Sequence, residues 1–321
     1  MKRKIWVMFC VSVLLGSLLG FAGDSSAAAK KYVTIGTASA GGTFFIVAGG
    51  IADVLNHNIP NVSAVQQVTP GSSAENIPAL EKKQIEMATC TSDQVYFGYK
   101  GGGMYKTAFP NIRVILSLYS APLHFVVLAK SGIQSLKDLE GKRIAAGAPG
   151  STQELMAREV LKFHGVKNWK HHRLTIAESI NALRDGTVEA ANPPAGVPIS
   201  SLLDLSTSHD IRILALESKA IDLILKEHPY WNKDVIPAKS YRGQNEEIPT
   251  VGYTTLFITH KDQEEDLIYK ATKAILENRE KLMKVHPICK EIMLENATRG
   301  VAAPFHPGAA KYLGEKGVKL P

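Results

Sequence analysis

Two short loops in the N-terminal third of the chain carry residue types that could bind a ligand. Residues 36–43 (GTASAGGT) follow one apolar stretch, and residues 69–73 (TPGSS) follow another. Each loop combines glycine with hydroxyl side chains and precedes an apolar pattern with helical spacing. Where a helix begins, its first backbone N–H groups lack partners within the helix and its dipole is positive. Such a junction suits the carboxylate or phosphate of a small ligand.

A motif that starts helices recurs along the chain. In this capping box, a Ser or Thr hydroxyl and a Glu carboxylate three residues later each accept a backbone N–H. One such cap contributes about 1 kcal/mol to stability. Two of the three motifs follow Pro-Gly, so they leave amides exposed at the carboxyl end of a strand, where ligands bind in open α/β sheets. The motifs are Ser72-x-x-Glu75, Ser151-x-x-Glu154 and Thr175-x-x-Glu178.

Simpler interpretations of the same residues remain open at this point. The first loop is either a tight turn with a helix cap or a place where the hydroxyls of Ser39 and Thr43 donate to a ligand. Asn76 either faces a cleft or is a solvated surface amide. Asp93 either accepts a hydrogen bond from a ligand amine or caps the turn after it. Because the junction recurs, we favour the ligand interpretation for the first loop.

Motifs for catalysis, metal binding or nucleotide binding are missing from the sequence. No Lys precedes the Ser/Thr of the first loop, so it is no P-loop. HExxH, CxxC and GxSxG do not occur, and the ten histidines are scattered. The sequence therefore predicts capture of a ligand without cofactor, metal or catalytic residues, and hence no enzyme.

The N-terminus has the pattern of a secretory signal peptide. Lys2, Arg3 and Lys4 precede an apolar run at residues 5–22, and three alanines at residues 27–29 offer a cleavage site. The alternative is an uncleaved membrane anchor, which glycines within the run and polar residues after it disfavour. We expect residues 1–29 to be removed and the rest to be a soluble periplasmic or extracytoplasmic protein.

Charge and cysteine content narrow the possible partners further. The net charge of +7 becomes +5 without residues 1–29, which hold three cations and one anion. With no Lys/Arg block and no run of aromatic residues for stacking, nucleic acid is not an expected partner. Cys90 and Cys289 could form a disulfide in an exported protein. Since Cys90 ends an apolar strand, buried free thiols are favoured.

Strand-like and helix-like segments alternate along the chain, which predicts an α/β protein with largely parallel sheets. Residues 32–36, 62–68 and 87–90 read as strands, and residues 43–56 read as a helix. A second unit of strands and helices follows. Residues 30–321 are too many for one comfortable hydrophobic core, so we expect two lobes.

Several segments in fixed order resemble the TAXI family, the extracytoplasmic solute receptors of tripartite ATP-independent periplasmic (TRAP) transporters. The segments are GTASAGGTF, TPGSSAENIPALEKKQIEMA, TSDQVYFG and FHPGAAKYLGEKG. The resemblance implies a type II periplasmic-binding-protein fold, in which two α/β lobes are joined by a hinge with the ligand cleft between them. Lobe I would comprise residues 30–122 plus 252–321, and lobe II residues 123–251.

The resemblance also implies a function. The protein would be a monomer that captures a small organic anion or amino acid, such as glutamate, by hinge closure and delivers it to a TRAP-type membrane permease. Residues 191–196 (ANPPAG) differ from the more aromatic stretch of the family. The ligand-binding residues carried over are Ser39, Gly41, Gly42, Thr43, Ser72, Ser73, Asn76, Thr91, Asp93, Gly150, Ser151 and Thr152.

Two alternatives to a transport receptor are compatible with the same sequence. A periplasmic subunit of a signalling system would capture its ligand in the same way but would have a different partner. An exported α/β transferase would need a positioned acid, base or nucleophile. The four loops that hold the carried-over residues, at 39–43, 72–76, 91–93 and 150–152, offer Ser, Thr, Asn and one Asp among those residues, with no partner base nearby in the sequence.

Overall fold

The computed structural model describes residues 30–40 and 42–321. The predicted signal peptide, residues 1–29, and Gly41 lie outside the described residues. Within this part of the chain, eleven strands form one sheet of six and one of five. They are β1 (Lys31–Gly36), β2 (Val62–Gln67), β3 (Met87–Thr91), β4 (Ile112–Pro122), β5 (Val126–Leu128), β6 (Arg143–Ala145), β7 (Lys170–His172), β8 (Ala190–Ala191), β9 (Ile211–Ile213), β10 (Trp231–Ile236) and β11 (Ile248–His260).

The helices fill the connections between the strands, as alternating sequence patterns predict. The first, α1, buries Phe44, Val47, Ile51 and Leu55 on one face, which repeat at helical spacing. The helices are α1 (Thr43–Asn58), α2 (Ser73–Glu81), α3 (Ser92–Lys100), α4 (Thr152–Phe163), α5 (Ile176–Arg184), α6 (Ser200–Ser208), α7 (Ser218–Glu227), α8 (Glu265–Glu277), α9 (Arg279–Val285) and α10 (Pro307–Glu315). Short 3-10 segments include Leu136–Leu139 and Pro287–Glu291.

The first sheet has the order β10-β11-β3-β1-β2. Its sixth strand, β4, lies outside this order and pairs with β11. Strands β1, β2 and β3 are parallel to one another. The long strand β11 is antiparallel to β3, β4 and β10. Both β4 and β11 are almost wholly buried, which is expected for strands covered on both faces.

The second sheet has the order β7-β6-β8-β5-β9. Its strands β6, β7 and β8 are parallel, whereas β5 is antiparallel to β8 and β9. Both sheets are therefore mixed, and the expectation of largely parallel sheets is wrong for β4, β5, β9, β10 and β11. Periodicity identifies a strand but does not encode the direction of its neighbour, so the antiparallel strands were not visible in the sequence.

The hydrophobic core has three parts. The largest extends from α1 and β1 across β4 and β11 to α4, so it links elements of both sheets. A second part lies between α5, α6 and the second sheet, and a third lies between α2, α3 and the first sheet. No helix among residues 30–40 and 42–321 has the length and apolar composition needed to cross a bilayer.

The two cysteines among the described residues are buried free thiols, as the favoured interpretation predicts. Cys90 and Cys289 are both free and buried. Burial raises the pKa of the Cys289 thiol to about 12, and it raises the pKa of the Cys90 thiol further. Both thiols are therefore protonated and inert at neutral pH.

Candidate functional site

Four helix starts supply the predicted ligand-binding residues. In the first sheet, α1 begins after β1, α2 after β2 and α3 directly after β3. Because these three strands are parallel, their carboxyl ends lie at one edge of the sheet. The fourth, α4, follows β6 of the second sheet. Hydrogen bonds show which of these helix starts are in contact.

The loops before α1 and α2 lie side by side. The Thr69 N–H donates to the Ala38 carbonyl at 3.3 Å. The Asn76 side chain joins the two loops to β3, because its Nδ2 donates to the carbonyls of Thr37 at 2.8 Å and Thr89 at 3.1 Å. Asn76 is fully buried, so it is not a solvated surface amide. Its amide lies against Gly36, where a Cβ would come within 2.5 Å of Oδ1.

The starts of α2 and α3 are joined by a hydroxyl. Ser73 Oγ accepts a hydrogen bond from the Thr91 N–H at 3.0 Å, and both residues are buried. The adjacent Ser92 Oγ donates to the Tyr230 carbonyl at 2.8 Å and accepts from the Thr254 N–H at 3.2 Å. These contacts fix the point where β3 becomes α3.

The starts of α3 and α4 meet at Asp93. Thr152 Oγ1 lies 2.8 Å from Oδ2 and 3.0 Å from Oδ1 of the Asp93 carboxylate. The Thr91 hydroxyl lies 3.0 Å from the same Thr152 oxygen. Gln94 Nε2 lies 3.5 Å from the Gly150 carbonyl. Elements that follow strands of the two different sheets are therefore in direct contact.

The Asp93 carboxyl is electrostatically unusual. It is fully buried, and burial raises its pKa above the ordinary value of 3.8. Hydrogen bonds from the hydroxyls of Thr91 and Thr152 and from the backbone N–H groups of Asp93 and Gln94 act in the opposite direction. The start of α3 is thus already occupied by a carboxyl group that belongs to the protein itself.

Two of the predicted capping boxes differ from expectation. Ser72 makes no capping hydrogen bond; it has φ 50° and ψ −133°, and Glu75 instead accepts the Gly71 N–H at 2.9 Å. Ser151 does cap α4 by accepting the Glu154 N–H at 3.2 Å, while the Glu154 carboxylate accepts the N–H of exposed Gly150. The third motif, at Thr175 and Glu178, is a complete capping box on α5.

The start of α1 faces a different neighbour. Ser39, Gly42 and Thr43 are all partly exposed, and the Gly42 N–H donates to the Ser39 carbonyl at 3.2 Å. The Thr43 methyl would lie 3.1 Å from a Cβ placed on Gly196, which lies in the loop that follows β8 of the second sheet. This start therefore lies beside a loop that follows a strand of the second sheet.

Three polar residues near these starts were not singled out from the sequence. Gln94 and Gln153 are buried, and Asn192 is fully buried. Asn192 Nδ2 donates to the Gln153 carbonyl at 3.0 Å. Three of their atoms find no hydrogen-bond partner among the residues that the structure describes: Gln94 Oε1, Gln153 Nε2 and Asn192 Oδ1. Each Gln directly follows a predicted site residue, so a search of the whole first helical turn would have found both.

Comparison with known proteins agrees with this architecture. A family model described as the NMT1-like family matches residues 35–317. A TctC solute-binding protein from Polaromonas is similar in structure, with TM-score 0.52, 16% identity, and coverage of 89% of this chain and 98% of that one. A ligand-binding component of an ABC-type import system from Staphylococcus aureus, with zinc bound, has TM-score 0.51, 13% identity, and coverage of 79% and 78%. The predicted fold of a periplasmic binding protein is thereby confirmed.

Proposed function

The chain belongs to the NMT1-like family, and from that premise we propose that it is a periplasmic solute-binding receptor for a small carboxylate or amino acid. The observation that carries this proposal is the meeting of helix starts from both sheets around Asp93 and Thr152. A ligand held between such starts would contact both sheets at once. Since it would bind the closed arrangement better than an open one, it would shift the equilibrium toward closure.

The chemistry of the site favours an amino acid over a simple dianion. Asp93 and the unpartnered oxygens of Gln94 and Asn192 accept hydrogen bonds, so they suit the ammonium group of a ligand. The first-turn amides of α1 and α2, beside Thr43 and Ser73, suit its carboxylate. A glutamate-like amino acid presents both groups. Thr43 and Ser72, which both carry hydroxyl groups, are partly exposed in the same loops.

The partner and the moving parts follow from the same proposal. We propose lobe I as residues 30–122 plus 252–321 and lobe II as residues 123–251, with a TRAP-type permease that receives the ligand. The connections between β4 and β5 and before β11 would act as the hinge. Strand β10 falls within the residue range of lobe II, but it pairs with β11 in the first sheet.

The test is a thermal-shift comparison of two matched ligands. L-glutamate and glutarate share a carbon chain and two carboxylates, but only glutamate has an ammonium group. At about 100 times its dissociation constant, a ligand adds about 2.7 kcal/mol to the free energy of unfolding. We expect a shift with glutamate or a related amino acid and none with glutarate. No shift with any amino acid or small carboxylate would refute the receptor function.

Thr43→Val tests the first loop. The substitution removes a hydroxyl at the start of α1 while preserving the shape of the side chain, so we expect weaker ligand affinity at near wild-type stability. Thr207→Val is a suitable control because Thr207 is exposed on α6 and bonds only its own helix, at the Asp204 carbonyl. Equal affinity of the two variants, measured by calorimetric titration, would leave the first loop with only a structural role.

A further inference from the structure

The contact between Asp93 and Thr152 joins two elements that belong to different sheets. Asp93 lies in the first turn of α3, directly after β3 of the first sheet, whereas Thr152 is the first residue of α4, which follows β6 of the second. Both side chains are buried. The Thr152 hydroxyl lies within 3.0 Å of both carboxylate oxygens.

The neighbouring groups reinforce this contact. The Thr91 hydroxyl approaches Thr152 Oγ1 from the side of the first sheet at 3.0 Å, and Gln94 Nε2 lies 3.5 Å from the Gly150 carbonyl. Gln94 Nε2 also lies 3.5 Å from Asp93 Oδ2, which holds the carboxylate toward α4. A hydrogen bond to a charged acceptor in a buried place is stronger than a neutral one.

The Asp93 side chain also supplies the acidic group that a ligand would otherwise bring to these helix starts. The start of a helix favours a negative group nearby, and Asp93 brings that group to the starts of α3 and α4 together. A negatively charged ligand would draw the same two starts toward each other in the same way. Asp93 therefore favours closure with an acidic group that the protein itself carries.

We propose that Asp93 is a closing latch: its hydrogen bond with Thr152 holds the start of α4 against the start of α3 and sets how far the cleft closes. This inference rests on the proposed receptor function, because closure matters only if a ligand is captured between the two sheets. Its role is to position the helix starts, so a readout of shape separates it from a role in ligand contact.

The test compares two substitutions of Thr152 in the purified protein without added ligand. Thr152→Ser keeps the hydroxyl, and Thr152→Val removes it with little change in shape. We expect small-angle X-ray scattering to give a larger radius of gyration for Thr152→Val than for wild type and Thr152→Ser. Equal radii for all three proteins would overturn the proposal, whatever the ligand screen finds.

A second variant protects the test against a folding defect. Far-ultraviolet circular dichroism shows whether Thr152→Val is folded; if it is not, Asp93→Asn, which weakens the acceptor instead of the donor, replaces it in the scattering comparison. The double variant Asp93→Asn/Thr152→Val should be no more open than the more open single variant, because both remove the same bond. Fully additive opening would contradict a shared latch.

Discussion

Asp93 shows how a single residue can change the interpretation of a site. The loops around it were expected to bind an anion through backbone amides and hydroxyl groups, with Asp93 either accepting from a ligand amine or capping the turn after it. The structure places a buried carboxylate among those amides, where it accepts hydrogen bonds from Thr152 and from its own helix start. A buried acceptor at this position suits a ligand that also carries a donor, such as the amino acids already named among the expected ligands.

The raised pKa of Asp93 predicts a pH-dependent effect of Asp93→Asn. Burial raises the carboxyl pKa in the folded state above its ordinary value of 3.8, so the folded protein holds this proton more tightly than the unfolded chain does. Ionised Asp93 therefore costs stability, increasingly as pH rises from about 4. We expect urea unfolding to show that the free energy of unfolding of Asp93→Asn, relative to that of wild type, increases as the pH is raised from 4 to 8.

Asp138→Asn provides a control of opposite sign. Asp138 accepts the backbone N–H groups of Gln134 and Ser135, and these bonds lower its carboxyl pKa. Its stabilising effect is therefore present at neutral pH and lost as pH falls below the ordinary Asp range. This variant should lose stability at pH 7 and approach wild type at low pH. If the stability of both variants relative to wild type changed with pH in the same direction, the raised pKa of Asp93 would be contradicted.

At the scale of elements, the helix starts divide into two kinds. Thr175 and Glu178 form a complete capping box on α5. Ser72 has the sequence of a box but none of its hydroxyl bonding, and its φ of 50° is one that glycine adopts more easily. The same four-residue pattern therefore encodes stability on α5 and a strained turn before α2.

These two helix starts predict opposite effects of substitution. Thr175→Ala should lose about 1 kcal/mol of unfolding free energy, the usual value of a lost cap. Ser72→Gly should gain about 1 kcal/mol, because it relieves a backbone strain of about 1–3 kcal/mol and adds some flexibility to the unfolded chain. Chemical denaturation measures both. A loss for Ser72→Gly similar to that for Thr175→Ala would mean that Ser72 acts as a cap.

Sequence reasoning recovered the elements well where periodicity is strong. The helix predicted at residues 43–56 is α1 (Thr43–Asn58), and the strand predicted at residues 62–68 is β2 (Val62–Gln67). The antiparallel placement of β4, β10 and β11 was missed, because it depends on pairing between residues far apart in sequence. Local patterns cannot specify such pairings.

The sequence predicted the helix starts that lie at the candidate site, but not the contacts between them. The sequence identified the starts of α2, α3 and α4, but it could not show that Thr152 would lie 2.8 Å from Asp93, which is 59 residues away. Asn76 was predicted to bind the ligand, but it is fully buried and its Nδ2 donates to the carbonyls of Thr37 and Thr89. Whether a polar side chain binds a ligand or the backbone depends on the fold around it.

At the scale of the whole molecule, burial of histidines links stability to pH. Burial lowers the pKa of His124, His260, His286 and His306. His124 is fully buried, and its pKa falls from 6.5 to about 4. The unfolded chain therefore takes up protons in weak acid that the folded protein does not, so acidification destabilises the fold.

His124 lies at the crossing from β4 to β5, and its bonds require the neutral ring. Its Nδ1 lies 2.9 Å from the Pro122 carbonyl and 3.2 Å from the Pro193 carbonyl, so this nitrogen carries the proton. Its Nε2 lies 3.1 Å from the Tyr241 hydroxyl, which also accepts the Ile199 N–H at 3.0 Å. Protonation of Nε2 would place a second N–H donor, besides that of Ile199, against the Tyr241 hydroxyl.

His124→Asn should therefore flatten the acid limb of the stability curve. The neutral histidine favours the fold above pH 6.5, and this contribution, about 3 kcal/mol at most, is lost as pH falls toward about 4. We expect urea unfolding between pH 4.5 and pH 7 to show a smaller slope for His124→Asn than for wild type. His57→Asn, at a histidine with a side chain 67% exposed, is the matched substitution at the surface. An unchanged slope for His124→Asn would mean that the other buried histidines carry the acid sensitivity.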